Sequence, residues 1–274
     1  MKRNPIKNQR LLAIVMALII TCISGVLSVS SATVSANIPQ NTSTKKIAVV
    51  IDDFGNNMKG TSEMLALPIP ITVAIMPFLP SSRSDAEKAH RMGKEVIIHM
   101  PMEPIRGKRS WLGPGAITAD LSKAEIRDRV LKAIESIPYA VGMNNHMGSK
   151  VTADPRIMRI VLEVCKEKGL FFLDSRTNSK SVIPALAREL GVPFRLNSVF
   201  LDDVYTTAHV SKQIVKLRTY LNTHDTCITI GHVGSPGLIT SRQLLASIER
   251  FPDADFVKVS DLLPADSMLP SFTP

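Results

Sequence analysis

Residues 45–57 read KKIAVVIDDFGNN, and their reading decides the fold. Positions 47–51 (IAVVI) form an unbroken apolar, largely β-branched run, long enough for one buried strand and too short for a helix. It ends in two adjacent carboxylates, Asp52 and Asp53, followed by a Gly and two Asn that favour a turn. In parallel α/β folds, ligands and catalysts gather at the carboxyl ends of the strands. By itself the acid pair also fits a solvated strand-end loop, because acidic residues are common in turns. The remainder of the chain separates the two.

Working outward, strand-like and helix-like stretches alternate. Further strands are predicted at 71–75 (ITVAI), 95–99 (EVIIH), 140–143, 170–173 (LFFL), 195–201, 227–230 (CITI) and 256–259. Helices are predicted from the capping-box spacing Ser84–Glu87 to Gly93, and from Ser122–Glu125 to residue 136. Others run from the Asp154-Pro155 pair to Gly169, and over 182–190, 210–221 and 241–250. This alternation, with no internal repeat, predicts an α/β architecture with a parallel sheet closed as one barrel.

The 274 residues are 45% hydrophobic, enough for one substantial core. The first 36 stand apart. Lys2, Arg3, Lys7 and Arg10 form a basic head, residues 11–29 are largely apolar, and Val34-Ser35-Ala36 offers a small-residue cleavage site. That pattern reads as an export signal, with an uncleaved membrane anchor as the alternative. Residues 37–44 read as a linker and 45–274 as one domain. The expected location is therefore the cell exterior, the cell wall or the periplasm. Removing the four cations of the head lowers the net charge from +9 to +5. No arginine-rich stripe points to nucleic acid, and the mild positive charge suits an anionic envelope. Cys165 and Cys227 sit in apolar segments and read as buried thiols.

Several strands finish in residues suited to chemistry: Asp52 and Asp53, His99, the Asn144-Asn145-His146 run, Asp174-Ser175-Arg176, and Gly231-His232. In a barrel these ends converge on one face. Imidazoles plus a carboxylate bind Zn²⁺ and leave a position for water, a second carboxylate serves as base, and a further His protonates a leaving group.

Taken together, IDDFGNN, IIHMPMEP, GMNNHMGSKVT, FFLDSRT, residues 199–202 (VFLD) and ITIGH resemble the divergent polysaccharide deacetylases, relatives of the NodB-type carbohydrate esterases. The resemblance runs over roughly 45–259 and implies a distorted (β/α)7 barrel that removes N- or O-acetyl groups from a polysaccharide with a divalent metal, zinc by preference. On it, Asp52 matches the catalytic base, Asp53 the metal-binding aspartate and His232 the acid histidine. Asp174 and Arg176 resemble the motif that orients the catalytic groups. His99 falls where the family places its first metal histidine. The second, four residues on, is here Glu103, so His146 is taken as third ligand with Glu103 in reserve.

Asn145 and Trp111 are the candidate substrate residues: Asn145 either binds substrate or holds a ligand in place, and Trp111 either stacks on a sugar ring or packs its loop down. The expected function is an exported, metal-dependent deacetylase of a cell-wall or capsular glycan. The alternatives are a catalytically silent glycan-binding or envelope-scaffold protein on the same barrel, or a metal hydrolase of another amide or ester. The expected partner is the polysaccharide, with membrane contact only through the N-terminal segment. Asp202 and Asp203 carry no assigned role.

Overall fold

The structure, a computed structural model, describes residues 44–264. The expected export signal and residues 37–43 of the expected linker lie outside the described residues.

The first strand, β1 (Lys45–Phe54), is buried from Ile47 through Asp52 and anchors the sheet. It is followed by α1 (Thr61–Leu65), β2 (Thr72–Ile75), α2 (Ser82–Arg91), β3 (Glu95–Met102), α3 (Lys123–Ser136), β4 (Ala140–Met147), α4 (Pro155–Glu167) and β5 (Phe171–Asp174). Then come α5 (Ile183–Leu190), β6 (Phe194–Leu196), β7 (Val199–Phe200), α6 (Thr207–Leu221), β8 (Thr226–His232), α7 (Gly237–Leu245) and β9 (Ala254–Val257). All pairings between these strands are parallel, in the order β6-β5-β4-β3-β2-β1-β8-β7, with β9 on the start of β1. The expected parallel α/β architecture is thus present, but as a curled half-barrel: among the described residues its end strands β6 and β7 do not pair with each other, so the sheet is not closed as predicted.

Strand alternation sorts the side chains into two layers. Ile47, Val49 and Ile51 face the helices within the larger core, whereas Ala48 and Val50 belong to a smaller cluster inside the barrel. Ile97 on β3, Phe171 and Leu173 on β5, and Ile228 and Ile230 on β8 fill that interior. Gly142 makes room for it, since a Cβ there would stand 2.6 Å from the Phe171 ring. Continuing the same parity toward the carboxyl ends gives Asp52, His99, Asn144, His146 and His232. The site is the top layer of the barrel interior.

Helix ends follow the sequence where a cap is specified. Ser122 and Glu125 form a complete capping box at α3, and Asp154 accepts from the N–H groups of Arg156 and Ile157 at the start of α4. Such a cap stabilises by about 1 kcal/mol. Ile157, Val161 and Val164 of α4 are fully buried, each contributing about 1.5–3 kcal/mol. The structure differs at α2, which begins at Ser82 and not at the Ser84 capping box. Ser82 instead donates to the Met76 carbonyl at 2.6 Å, and Ser81 to Asp85, so the preceding loop sets the start. The strand predicted over 195–201 is broken into β6 and β7, because Asn197 pairs with the backbone of Asp174 and Val199. The helix predicted over 241–250 starts earlier, at Gly237, and ends at Leu245.

The bottom of the barrel is closed by the chain's return after β9. Glu95 Oε1 accepts from Thr72 Oγ1 at 2.8 Å and from the Val259 N–H at 3.0 Å, and the Ser260 N–H also donates to this carboxylate. Val259 and Leu262 complete the interior cluster from below. Both described cysteines are buried free thiols, as expected. Among the described residues no helix is long and apolar enough to cross a membrane.

Candidate metal centre and catalytic cleft

Alternation along β1 would send Asp52 and Asp53 to opposite faces. The register of β1 against β2 shifts between Ile51 and Phe54, and Asp53 takes a left-handed backbone with φ 69°. This bulge lets both carboxylates line one cleft of about 290 Å³. Aspartate tolerates the left-handed region better than most residues. Across the sheet, Asp52 stands opposite His232 in the β1/β8 register, and His99 opposite Asn144 in β3/β4.

Three donor atoms converge. Asp53 Oδ1 lies 3.3 Å from His99 Nε2 and 3.1 Å from His146 Nδ1, and the two nitrogens are 3.1 Å apart. The far side of each ring fixes its tautomer. His146 Nε2 is 3.2 Å from the Trp111 carbonyl, which only accepts, so Nε2 carries the proton and Nδ1 presents a lone pair. Asn144 Nδ2 donates to Asp52 Oδ1 at 2.9 Å, which turns Asn144 Oδ1 toward His99 Nδ1 at 2.7 Å. His99 Nδ1 is therefore the donor and Nε2 the lone pair. Asp53 Oδ1 is buried and makes no hydrogen bond of good geometry.

Two lone pairs and a carboxylate oxygen at such distances repel unless a cation lies between them. Ligand atoms on a tetrahedral zinc, bound at about 2.0–2.1 Å, are spaced by about 3.3 Å. The orphaned oxygen, the two fixed tautomers and the His₂Asp donor set fit a divalent metal with one position left over for water. Without a metal, burial lowers His99's proton affinity, but Asp52 and Asp53 outweigh it and raise its pKa. For Asp53, burial works upward, while the imidazoles of His146, His99 and His232 around it hold its carboxyl well below the usual range.

Asp52 is fully inside, with Oδ2 3.6 Å from His99 Nε2. Burial pushes its carboxyl up despite the neighbouring His99 and His232. His232 lines the cleft from β8. Its Nδ1 donates to Asp202 Oδ1 at 2.7 Å and its N–H to Asp202 Oδ2 at 2.9 Å, while Thr240 donates to the same Oδ2 at 2.6 Å. A side chain at Gly231 would crowd this approach, its Cβ falling 3.0 Å from Thr240 and 3.4 Å from Asp202. Burial lowers the affinity of His232 for a proton, but the bond to Asp202 and the charges of Asp53, Asp202 and Asp52 bring its pKa up to about 9.

Other expected site residues fall elsewhere. Glu103, the ligand in reserve, is outside the donor cluster. It accepts from Lys150 Nζ and from the Ala119 N–H, each at 2.7 Å, and Lys150 holds its carboxyl below the ordinary value. Asp174 and Arg176, expected to orient the catalytic groups, do not line the cleft. Asp174 Oδ1 accepts from the Arg176 N–H at 2.7 Å and shapes the turn after β5, and Arg176 is exposed. Asn145 does line the cleft, but its Oδ1 accepts from the Ser175 N–H and its Nδ2 donates to the Met147 carbonyl, so it ties two loops together. Trp111 lines the cleft and is exposed.

The orienting contacts belong to two residues the sequence reading gave no role. Asn144 joins His99 to Asp52, and Asp202 holds His232. The available signal was positional: Asn144 lies two residues before His146, on the same face of β4, and Asp202 ends the VFLD stretch.

A curled parallel sheet with Asp53, His99 and His146 gathered at its carboxyl ends defines an α/β protein with a candidate metal centre. The chain belongs to the divergent polysaccharide deacetylase family, whose model matches residues 49–263. It is 38% identical over 226 residues to an uncharacterized protein of Haemophilus influenzae, covering 82% of this chain and 79% of that one. It is 35% identical over 218 residues to the uncharacterized protein YibQ of Escherichia coli, covering 80% of this chain and 67% of that one. The solved structure of an uncharacterized protein from Agrobacterium tumefaciens shares the fold, with a TM-score of 0.73 at 21% identity, over 80% of this chain and 89% of that one.

Proposed function

We propose that the protein is an exported, metal-dependent hydrolase that removes N- or O-acetyl groups from a cell-wall or capsular polysaccharide. The observation that carries the reading is the convergence of Asp53 Oδ1, His99 Nε2 and His146 Nδ1 within 3.1–3.3 Å of one another, flanked by Asp52 and His232. Family membership supports the substrate class. The basic head and apolar run of the first 36 residues support export.

Asp53, His99 and His146 would hold the ion, and zinc suits this donor set best. When bound, such an ion polarises an acetyl carbonyl and lowers the pKa of a water to about 7. Asp52, buried beside the donors with its proton affinity raised, takes the proton of the attacking water. Asn144 keeps the Asp52 carboxylate aimed into the cleft. His232, with Nδ1 held by Asp202, delivers a proton from Nε2 to the departing amine or alcohol. A pKa of about 9 keeps it charged and ready as an acid at neutral pH.

The test is acetate release from acetylated glycans by the zinc-loaded protein and by Asp52→Asn. Turnover is expected to vanish in the variant while bound metal is retained. Turnover that survives would remove Asp52 as base. Metal retention without acetate release from any glycan would leave a glycan-binding protein of the same fold.

A further inference from the structure

The rim of the cleft carries groups that the hydrolytic chemistry does not use. Trp111 and Tyr205 both line it, yet they are 58% and 59% exposed. Apolar rings of this size are ordinarily drawn inward, so two left open beside a polar cleft are available to a ligand. They stand on different flanks. Trp111 belongs to the loop after β3, and its carbonyl is fixed to His146. Tyr205 follows β7, three residues beyond the Asp202 that holds His232.

The Trp111 loop is laid over the end of β4 by the Ile105 N–H bond to Ser149 Oγ at 2.9 Å. Gly107 abuts it too: a Cβ there would stand 2.9 Å from Met147, a cleft residue. The exposed side chains of Arg106 and Lys108 flank that contact, and Lys108 Nζ lies 5.7 Å from the centroid of the Trp111 ring.

Charge around the rim is unevenly cancelled. The carboxylate of Glu103 is paired with Lys150 and that of Asp203 with His209. Among the described residues, the Arg106 guanidinium has no ion-pair or hydrogen-bond partner, and the Lys108 ammonium has only the ring of Trp111.

We propose that the cleft selects an anionic glycan, whose sugar rings lie on Trp111 and Tyr205 while its acidic groups meet Arg106 and Lys108. This rests on the carbohydrate reading of the site. Gly107 lies between the two cations, and a Cβ on it would stand 3.9 Å from the Trp111 ring, so an acidic group on a sugar stacked there, or on its neighbour, would face this basic segment. The rings supply contact area common to any glycan, and the cations supply the discrimination.

Two probes separate these contributions: a hyaluronan hexasaccharide, which alternates N-acetylated and carboxylate sugars, and neutral chitohexaose of equal length. Binding is measured by calorimetry on the zinc-loaded full chain carrying Asp52→Asn, which prevents turnover. At about 0.05 M salt, hyaluronan is expected to bind about five- to tenfold tighter, with the advantage lost at about 0.5 M. Arg106→Gln with Lys108→Gln is expected to abolish the preference and leave chitohexaose affinity unchanged. Trp111→Ala and Tyr205→Ala are each expected to weaken both probes about tenfold. Equal affinity for the two probes, a preference that survives loss of both cations, or binding of neither would overturn the proposal. Acetate release from chitohexaose by the unsubstituted protein scores the hydrolytic reading separately. If that proceeds while hyaluronan shows no preference, the anionic selectivity alone falls.

Discussion

His232 meets Asp202 at two points, donating its backbone N–H to one carboxylate oxygen at 2.9 Å and its ring Nδ1 to the other at 2.7 Å. One side chain thus sets both where β8 ends and which way the imidazole faces. Thr240 on α7 braces the same carboxylate, so the fully buried Asp202 is a junction of strand, helix and cleft.

This pair gives a pH dependence. The pKa of His232 in the folded protein is about 9, above the value of about 6.5 expected when unfolded. Its stabilising contribution is therefore complete below about pH 6.5 and is lost as pH rises through about 9. In metal-free protein, an NMR titration of His232 is expected to show a midpoint near 9. Asp202→Asn is expected to move that midpoint down toward 6.5 and to flatten the alkaline loss of stability in urea denaturation. An unmoved midpoint would remove Asp202 as the cause.

Asn144 connects the metal centre to the base, bonding His99 Nδ1 on one side and Asp52 on the other. Groups that orient a ligating histidine in this way contribute about 10–100-fold to metal affinity. Competition with a zinc chelator is expected to show a loss of that size in Asn144→Ala. Zinc affinity equal to the parent would mean that packing alone orients His99.

The choice of third ligand has a direct readout in metal content by mass spectrometry. About one zinc per chain is expected for the parent. Glu103→Gln is expected to keep it, because Glu103 is engaged by Lys150 and the Ala119 N–H. His146→Ala is expected to lose it. The reverse pattern would put Glu103 in the centre.

At the opposite end of the barrel, Glu95 is the acceptor for the backbone N–H groups of Val259 and Ser260. Glu95→Ala leaves these donors without it and is expected to lower unfolding free energy by about 2–4 kcal/mol. Zinc content is expected to stay at the parental level, since Glu95 opens β3 at the bottom of the sheet and His99 lies four residues further along it, toward the carboxyl ends. Loss of metal together with stability would show that the two ends are coupled.

Much of this was legible in the chain because it is local. An apolar run of strand length, a capping box at Ser122 and an Asp-Pro pair at 154–155 constrain their own backbone, and the structure has each of them. α2 starts two residues before the Ser84 motif because Ser81 and Ser82 are tied to partners that the motif does not contain. The break between β6 and β7 depends on Asn197, which bonds across to β5.

The sequence by itself determined the parallel α/β fold, the strand ends that carry polar groups and the set from which a metal centre is drawn. Tertiary structure decided which of those groups meet. The bulge at Asp53 turned two neighbouring carboxylates to one side, and strand register brought His146 to His99 while leaving Glu103 to Lys150. It also assigned the orienting contacts to Asn144 and Asp202, with Asp174 left to its own turn. Periodicity fixes the face on which a side chain lies. Which atoms stand within 3 Å of one another depends on register and backbone twist, and those are set by pairings between residues far apart in the chain.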